Sequence, residues 1–271
     1  MKRGRIGLIA LGVAASLAVA GCGTTTRSGE VGIERKQTLL LSSGEVNRAA
    51  AQSYRKIIAD ASRKGLLNRN PQEVERVRAV AQRLIPATGA FRADAPGWQW
   101  EVNVLSSKEL NAWCMPGGKI AVYTGLLEKL QLTDDELAAV MGHEIAHALR
   151  EHGRERASEQ VATAAVIGIA GAVLGAGQGS MDLANIVADL TISRPNSRTH
   201  EVEADRIGVE LAARAGFDPR GAVTVWQKMA KAGGSEPPQF LSTHPSTENR
   251  IRDLEVYAAR VTPLYEQARK R

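Results

Sequence analysis

The 271-residue chain is short of several things, and each shortage closes off a class of protein. Phe, Trp and Tyr make up only 4% of it, which favours closely packed helices over an aromatic-rich sandwich. Two cysteines, Cys22 and Cys114, do not make a disulfide framework. No apolar run reaches the ~20 residues a spanning helix needs. The longest, Ile6 to Gly21 and Val161 to Gly177, stop at 16 and 17. The formal charge of +6 falls to +3, with 32 basic against 29 acidic residues, once Lys2, Arg3 and Arg5 are set aside with the N-terminal segment. With no Arg/Lys cluster interleaved with aromatics, nucleic acid is not an expected partner. No internal repeat is visible. Histidine is scarce too, five in all, yet three of the five crowd into GHEIAHALREHG, Gly142 to Gly153.

The N-terminus is a targeting signal. MKRGR is a basic stretch, IGLIALGVAASLAVAG an apolar one, and the run stops at Cys22. That pattern predicts a signal peptide over residues 1–21. Val19-Ala20-Gly21-Cys22 resembles the lipobox of bacterial lipoproteins, which implies lipidation of Cys22; the alternative is an ordinary signal peptide cut near Ala20. Gly rather than Asp at 23 implies, by the same resemblance, the outer membrane, with the protein on its periplasmic face. More than one acyl chain gives stable anchoring. Residues 22–41, polar then mixed, read as a tether. Residues 42–271 read as a single domain with its core over about 74–254. Cys114, in the apolar run WCM, reads as a small buried hydrophobe.

Along that domain, Ser43 to Lys64 has helical spacing, and Asn70-Pro71 caps a second helix reaching Ile85. Trp98 to Val104, Asn111 to Met115 and Lys119 to Thr124 read as three strands, the last as an edge on which a substrate strand could add. Thr133-Asp134-Asp135-Glu136 is a capping box opening a helix through the histidines to about His152. Val161 to Gly177 reads either as a membrane-dipping hairpin or as Gly/Ala-rich packing inside the domain. Further helices are predicted over His200 to Ala215, from Asp218-Pro219 through Lys231, and over Glu248 to Arg260, with a long loop GGSEPPQFLSTHPST before the last. The fold class is α+β, mainly α.

His143-Glu144-Ile145-Ala146-His147 is HExxH. On a helix, i and i+4 lie about 40° apart, so both imidazoles aim at one point, a two-ligand zinc half-site. Glu144 beside them is suited to take a proton from metal-activated water. His152, five residues past His147, lies about 140° round a continuous helix and so is expected to face away, as a solvent-facing or helix-dipole residue. Catalytic zinc keeps three protein ligands. The candidates for the third are His200, Glu201, Glu203, Asp205 and His244. Glu201 and Asp205 share one helical face, and Glu203 points elsewhere.

HEIAH followed by Glu201-Val202-Glu203-Ala204-Asp205 resembles the ExxAD signature of the zinc metallopeptidase family that includes CAAX prenyl proteases, heat-shock membrane proteases and periplasmic outer-membrane quality-control proteases. NAWCMPGGKIAVYTGL before the helix, and Thr243-His244-Pro245 with Arg250 after it, belong to the same resemblance. It implies a zincin-like domain with a small sheet whose edge strand borders the active helix. It further implies one Zn²⁺ held by His143, His147 and Glu201, with Asp205 orienting a ligating histidine and Glu144 as general base. His244 is read as an oxyanion stabiliser, a removable fourth zinc ligand, or a structural turn, and Arg250 as a partner of an Asp or of the oxyanion. The expected function is a zinc endopeptidase cleaving misfolded or unassembled envelope proteins. The alternative is a lipoprotein chaperone or outer-membrane assembly factor whose zinc is structural.

Overall fold

The computed structural model describes residues 22–166, 179–232, 239–244 and 249–270. Residues 1–21, expected as a signal peptide, and the greater part of the Val161 to Gly177 run lie outside the described residues, as do Pro245 and the start of the expected last helix. No helix among the described residues is long and apolar enough to cross a membrane.

Two short strands, β1 (Cys22–Gly23) and β2 (Gln37–Thr38), pair antiparallel at the start. They are followed by α1 (Ser43–Arg63) and α2 (Pro71–Ala87). Ser42 and Glu45 close a capping box on α1, and Asn70 caps α2 with Pro71 at its first position. A three-stranded sheet comes next: β3 (Glu101–Leu105), β4 (Ala112–Met115) and β5 (Lys119–Tyr123). Helices α3 (Thr124–Leu130), α4 (Asp134–Leu149), α5 (His152–Val166), α6 (Gly179–Ile192), α7 (Arg198–Arg214), α8 (Gly221–Ala232), α9 (Gln239–Thr243) and α10 (Arg250–Ala268) complete the described chain. The class is α+β and mainly helical, as the sequence implies.

The sheet order is β3-β5-β4, with β3 parallel and β4 antiparallel to β5. The strand Lys119–Tyr123 is therefore central, not an edge, and both of its sides are already paired. An edge strand does border the histidine helix, but it is β4, packed on α4. Alternation in sequence reports which face of a strand is buried and carries no information on strand order, so it does not distinguish an edge from a central strand.

Helix α4 runs through the middle of the core. Thr133 and Glu136 form the expected capping box, and from Leu137 to Leu149 every residue is buried. A helix apolar all round belongs in an interior, and the burial of Leu137, Met141, Ile145 and Leu149 stabilises it there by about 1.5–3 kcal/mol each. Helix α7 crosses α4 at two facing glycines. A Cβ on Gly208 would lie 2.7 Å from the His143 amide nitrogen, and one on Gly142 would lie 2.8 Å from the Gly208 carbonyl oxygen. Only the absence of both side chains lets the two backbones meet, and that contact sets the spacing between the histidines and the acids of α7.

The segment read as a tether lies against the domain. Val31, Ile33 and Gln37 are buried, Val31 N–H donates to Glu210 Oε2, and Gln37 Nε2 donates to the Arg150 carbonyl. Its polar composition reflects partners inside the fold rather than solvent.

Candidate metal centre

The two helices converge as the spacing requires. His143 Nε2 and His147 Nε2 lie 3.1 Å apart, and the Glu201 carboxylate of α7 reaches both, at 3.5 Å and 3.3 Å. His244, just past α9, brings a further ring nitrogen, and all four ligand atoms fall within 4.8 Å of one another. Both Glu201 oxygens are buried without a hydrogen-bond partner, as is Glu144 Oε1. Buried carboxylate oxygens gathered near imidazole and guanidinium nitrogens without a formed hydrogen bond call for a further partner. Imidazole nitrogens and a carboxylate facing a shared point are the donor set of catalytic zinc, so the residues fit the ion.

Each acid of Glu201-Val202-Glu203-Ala204-Asp205 has a separate place. Glu201 faces the two histidines. Asp205 accepts at Oδ1 from His143 Nδ1 at 2.9 Å and from Arg250 Nη2 at 2.7 Å. Burial pushes the Asp205 carboxyl up, but Arg250 and His143 outweigh it and hold it below the usual range. Arg250, stacked over Trp226 at 3.3 Å, also lies 3.1 Å from Glu201, so it serves both acids from one fixed position. Glu203 turns to the other side of α7, as expected.

Glu144 is fully buried beside this set. Burial drives its carboxyl well above the usual carboxylate range, and the neighbouring Glu201 pushes it further, against Arg250 and a hydrogen bond from the Cys114 main-chain N–H. That hydrogen bond comes from β4, so the edge strand touches the catalytic candidate directly. Cys114 itself is buried, its thiol raised by desolvation, which matches a packing residue. His244 Nε2 sits 3.3 Å from Glu144 Oε1, while its Nδ1 lies 3.1 Å from the Phe240 carbonyl and 3.0 Å from Thr243 Oγ1.

His152 is the exception. It is 1% exposed, its Nδ1 is 2.8 Å from His147 Nδ1, and its Nε2 is 2.9 Å from Glu203 Oε2. An offset of about 140° holds only for one continuous helix from Thr133 to His152. The helix ends at Leu149, and Glu151 takes a left-handed backbone conformation (φ 50°) that swings His152 back toward His147. No glycine marks the break; three polar contacts hold Glu151 there, from Arg92, Arg154 and Ser43. His200 stacks on His152 with ring centroids 4.3 Å apart, and its Nε2 meets Glu155 at 3.2 Å. Burial pulls both His147 and His152 well below the ordinary histidine range.

A helix-borne pair of histidines, a carboxylate from a second helix and a buried glutamate beside them define a zinc metallopeptidase. The chain belongs to peptidase family M48, whose model matches residues 71–258. It is similar to the mitochondrial metalloendopeptidase OMA1 of Arabidopsis thaliana, 41% identical over 58% of this chain and 31% of that protein. The protein of the same name in Schizosaccharomyces pombe is 33% identical over 77% and 59%. The beta-barrel assembly-enhancing protease of Escherichia coli is 29% identical over 61% and 36%. The chain thus spans about a third to three-fifths of the length of these relatives.

Proposed function

We propose that this chain is a zinc-dependent endopeptidase of the outer membrane, anchored through a lipidated Cys22, facing the periplasm, and cleaving misfolded or unassembled envelope proteins. The observation that carries the enzymatic reading is the Glu144 carboxyl, buried with an unpartnered oxygen beside the His143, His147 and Glu201 donors. A structural site has no use for such a group. The lipid anchor rests on the sequence around Cys22, and the envelope substrates on that anchor and on the likeness to the beta-barrel assembly-enhancing protease of Escherichia coli.

Bound zinc supplies Lewis acidity, polarising a carbonyl and making water acidic near neutral pH. Glu144 takes the proton of the attacking water at Oε1, which accepts no hydrogen bond, and hands it to the departing amine nitrogen. Asp205 keeps His143 in the tautomer whose Nε2 faces the set. The outer edge of β4 offers main-chain groups to an extended substrate segment, which favours unfolded polypeptide without strict side-chain selection.

His244 gives the chaperone reading its one support, because four converging donors describe a closed, structural site. The same geometry fits a removable fourth ligand. Glu144→Gln decides between the readings: the enzyme is expected to keep one zinc per chain and lose casein cleavage by ~10²–10⁴-fold. Unchanged cleavage would sink the mechanism, and absence of cleavage in the wild type would favour the chaperone. Cell fractionation of Cys22→Ala, expected to release the protein into the soluble periplasm, tests the anchor.

A further inference from the structure

Outside the metal set, the described chain holds one other cluster able to ligate an ion: His152, Glu155 and His200. It is not a vacant metal site. Arg35 grips Glu155 with Nη1 at 2.5 Å and Nη2 at 2.9 Å, and Gln37 Nε2 adds a third hydrogen bond at 2.8 Å. A fixed guanidinium in contact with the carboxylate repels a cation and has already neutralised the charge that would attract one. The cluster has a different use, and the contact between His152 and His147 identifies it.

We propose that His152 is a positioning residue for His147, fixing the tautomer and ring plane of that ligand through a relay that ends on Glu203. The inference rests on His147 binding the metal through Nε2, as the convergence of that atom with His143 and Glu201 requires. Nε2 then carries the lone pair, and the ring proton sits on Nδ1. His147 Nδ1 donates across 2.8 Å to His152 Nδ1, which accepts. Because His152 Nδ1 accepts, the ring proton of His152 sits on Nε2, which donates across 2.9 Å to Glu203 Oε2. Each link dictates the next, and a single arrangement of protons satisfies all of them.

Both histidines of the HExxH motif thus end on a carboxylate of α7, by different routes. His143 reaches Asp205 directly, whereas His147 reaches Glu203 through a second imidazole. The relay is held stiffly. His200 lies flat on the His152 ring, Arg150 Nε bonds Glu203 at 3.0 Å, and Arg35 Nε bonds it at 2.7 Å. Arg35 comes from the N-terminal segment and joins Glu203 to Glu155, so that segment is part of the support of the metal centre.

The test is zinc affinity, measured by chelator competition on the full chain, with the unfolding temperature of the metal-free protein as a control for folding. Asn places an acceptor oxygen where the imidazole Nδ1 stands, and Gln places its amide near Nε2. His152→Asn keeps the contact with His147 and is expected to hold zinc within about threefold of wild type. His152→Gln and His152→Ala lose that contact and are expected to bind zinc ~10–100-fold more weakly. The visible absorption of the cobalt-substituted protein is expected to shift in the Gln variant and not in the Asn variant. Affinity in His152→Ala within twofold of wild type overturns the proposal. So do equal losses in Asn and Gln, whatever their metal-free stability. Wild-type protein that takes up no zinc overturns the metallopeptidase reading itself, a result separate from any difference among the His152 variants.

Discussion

Gly208→Ala isolates the contact on which the metal centre depends. Ala is about 1 kcal/mol better than Gly in a helix interior, so the substitution should stabilise α7 if nothing stood nearby. Here the added methyl meets backbone: the His143 nitrogen at 2.7 Å and the Gly142 carbonyl carbon at 2.9 Å. Backbone does not rotate aside. To reach ordinary contact at 3.4 Å, α4 and α7 must part by about 0.7 Å at their crossing. Overpacking of this kind costs about 1–3 kcal/mol, which set against the gain in propensity leaves a net loss of up to about 2 kcal/mol. For a domain of this size each kcal/mol moves the melting temperature about 2–4 °C, so the metal-free protein is expected to melt lower by up to about 8 °C. The metal centre suffers more than the fold, because coordination tolerates only ~0.2 Å and Glu201 rides on the helix that moves. Zinc affinity is expected to fall tenfold or more. Calorimetry of the metal-free protein and chelator competition read the two effects separately. Gly44→Ala is the control: it lies in α1 and meets only the far end of Arg48 at 3.4 Å, so it should melt no lower than wild type. Gly208→Ala with unchanged melting and unchanged zinc affinity refutes the argument that this close crossing sets the geometry of the site.

Other outcomes follow from the same geometry. Glu201→Ala removes the only carboxylate facing both histidines, and metal analysis should find well under one zinc per chain after dialysis. Arg250→Met leaves Asp205 and Glu201 without their shared cation; a loss of about 3–5 kcal/mol is expected by denaturant unfolding, since it strands buried charge. Burial raises Glu151, but hydrogen bonds from Arg92, Arg154 and Ser43 overcome it and leave the group below the usual range. Such a group adds stability above the unfolded-state value near 4.3 and loses it as pH falls toward its lower folded value. In metal-free protein, Glu151→Gln should melt below wild type at pH 7, with the gap closing below about pH 4; a constant gap would contradict the assignment. Cys114, buried with a raised thiol, should resist alkylation until the protein unfolds.

The legible parts of this site were those carried by one regular element. His143 and His147 share a face because a helix guarantees it, and Thr133 and Glu136 announced where that helix starts. Glu201 and Asp205 were placed by a second helical spacing, and the separation of Glu203 from them followed from the same periodicity. What escaped was whatever depended on a departure from regularity. The role of His152 turns on one left-handed residue, Glu151, which has a side chain and no local signature of its conformation; the contacts holding it come from Arg92 and Ser43, distant in sequence. The order of the strands was equally hidden, since alternation in Lys119–Tyr123 is the same for a central strand and an edge. Arg35 and Gln37 looked solvated because their partners, Glu155 and Glu203, lie more than 100 residues away.

The packing of residues 24–41 has a mechanical consequence. A free coil of that length would let the catalytic domain wander roughly 25 Å from its attachment point. Instead β1 holds the Cys22 backbone directly against Thr38, and the segment beyond it is clamped at Val31, Arg35 and Gln37. If Cys22 carries lipid as proposed, the leash would have almost no slack, and the metal centre would keep a fixed height above the membrane, its reach set by the flexibility of the substrate rather than its own.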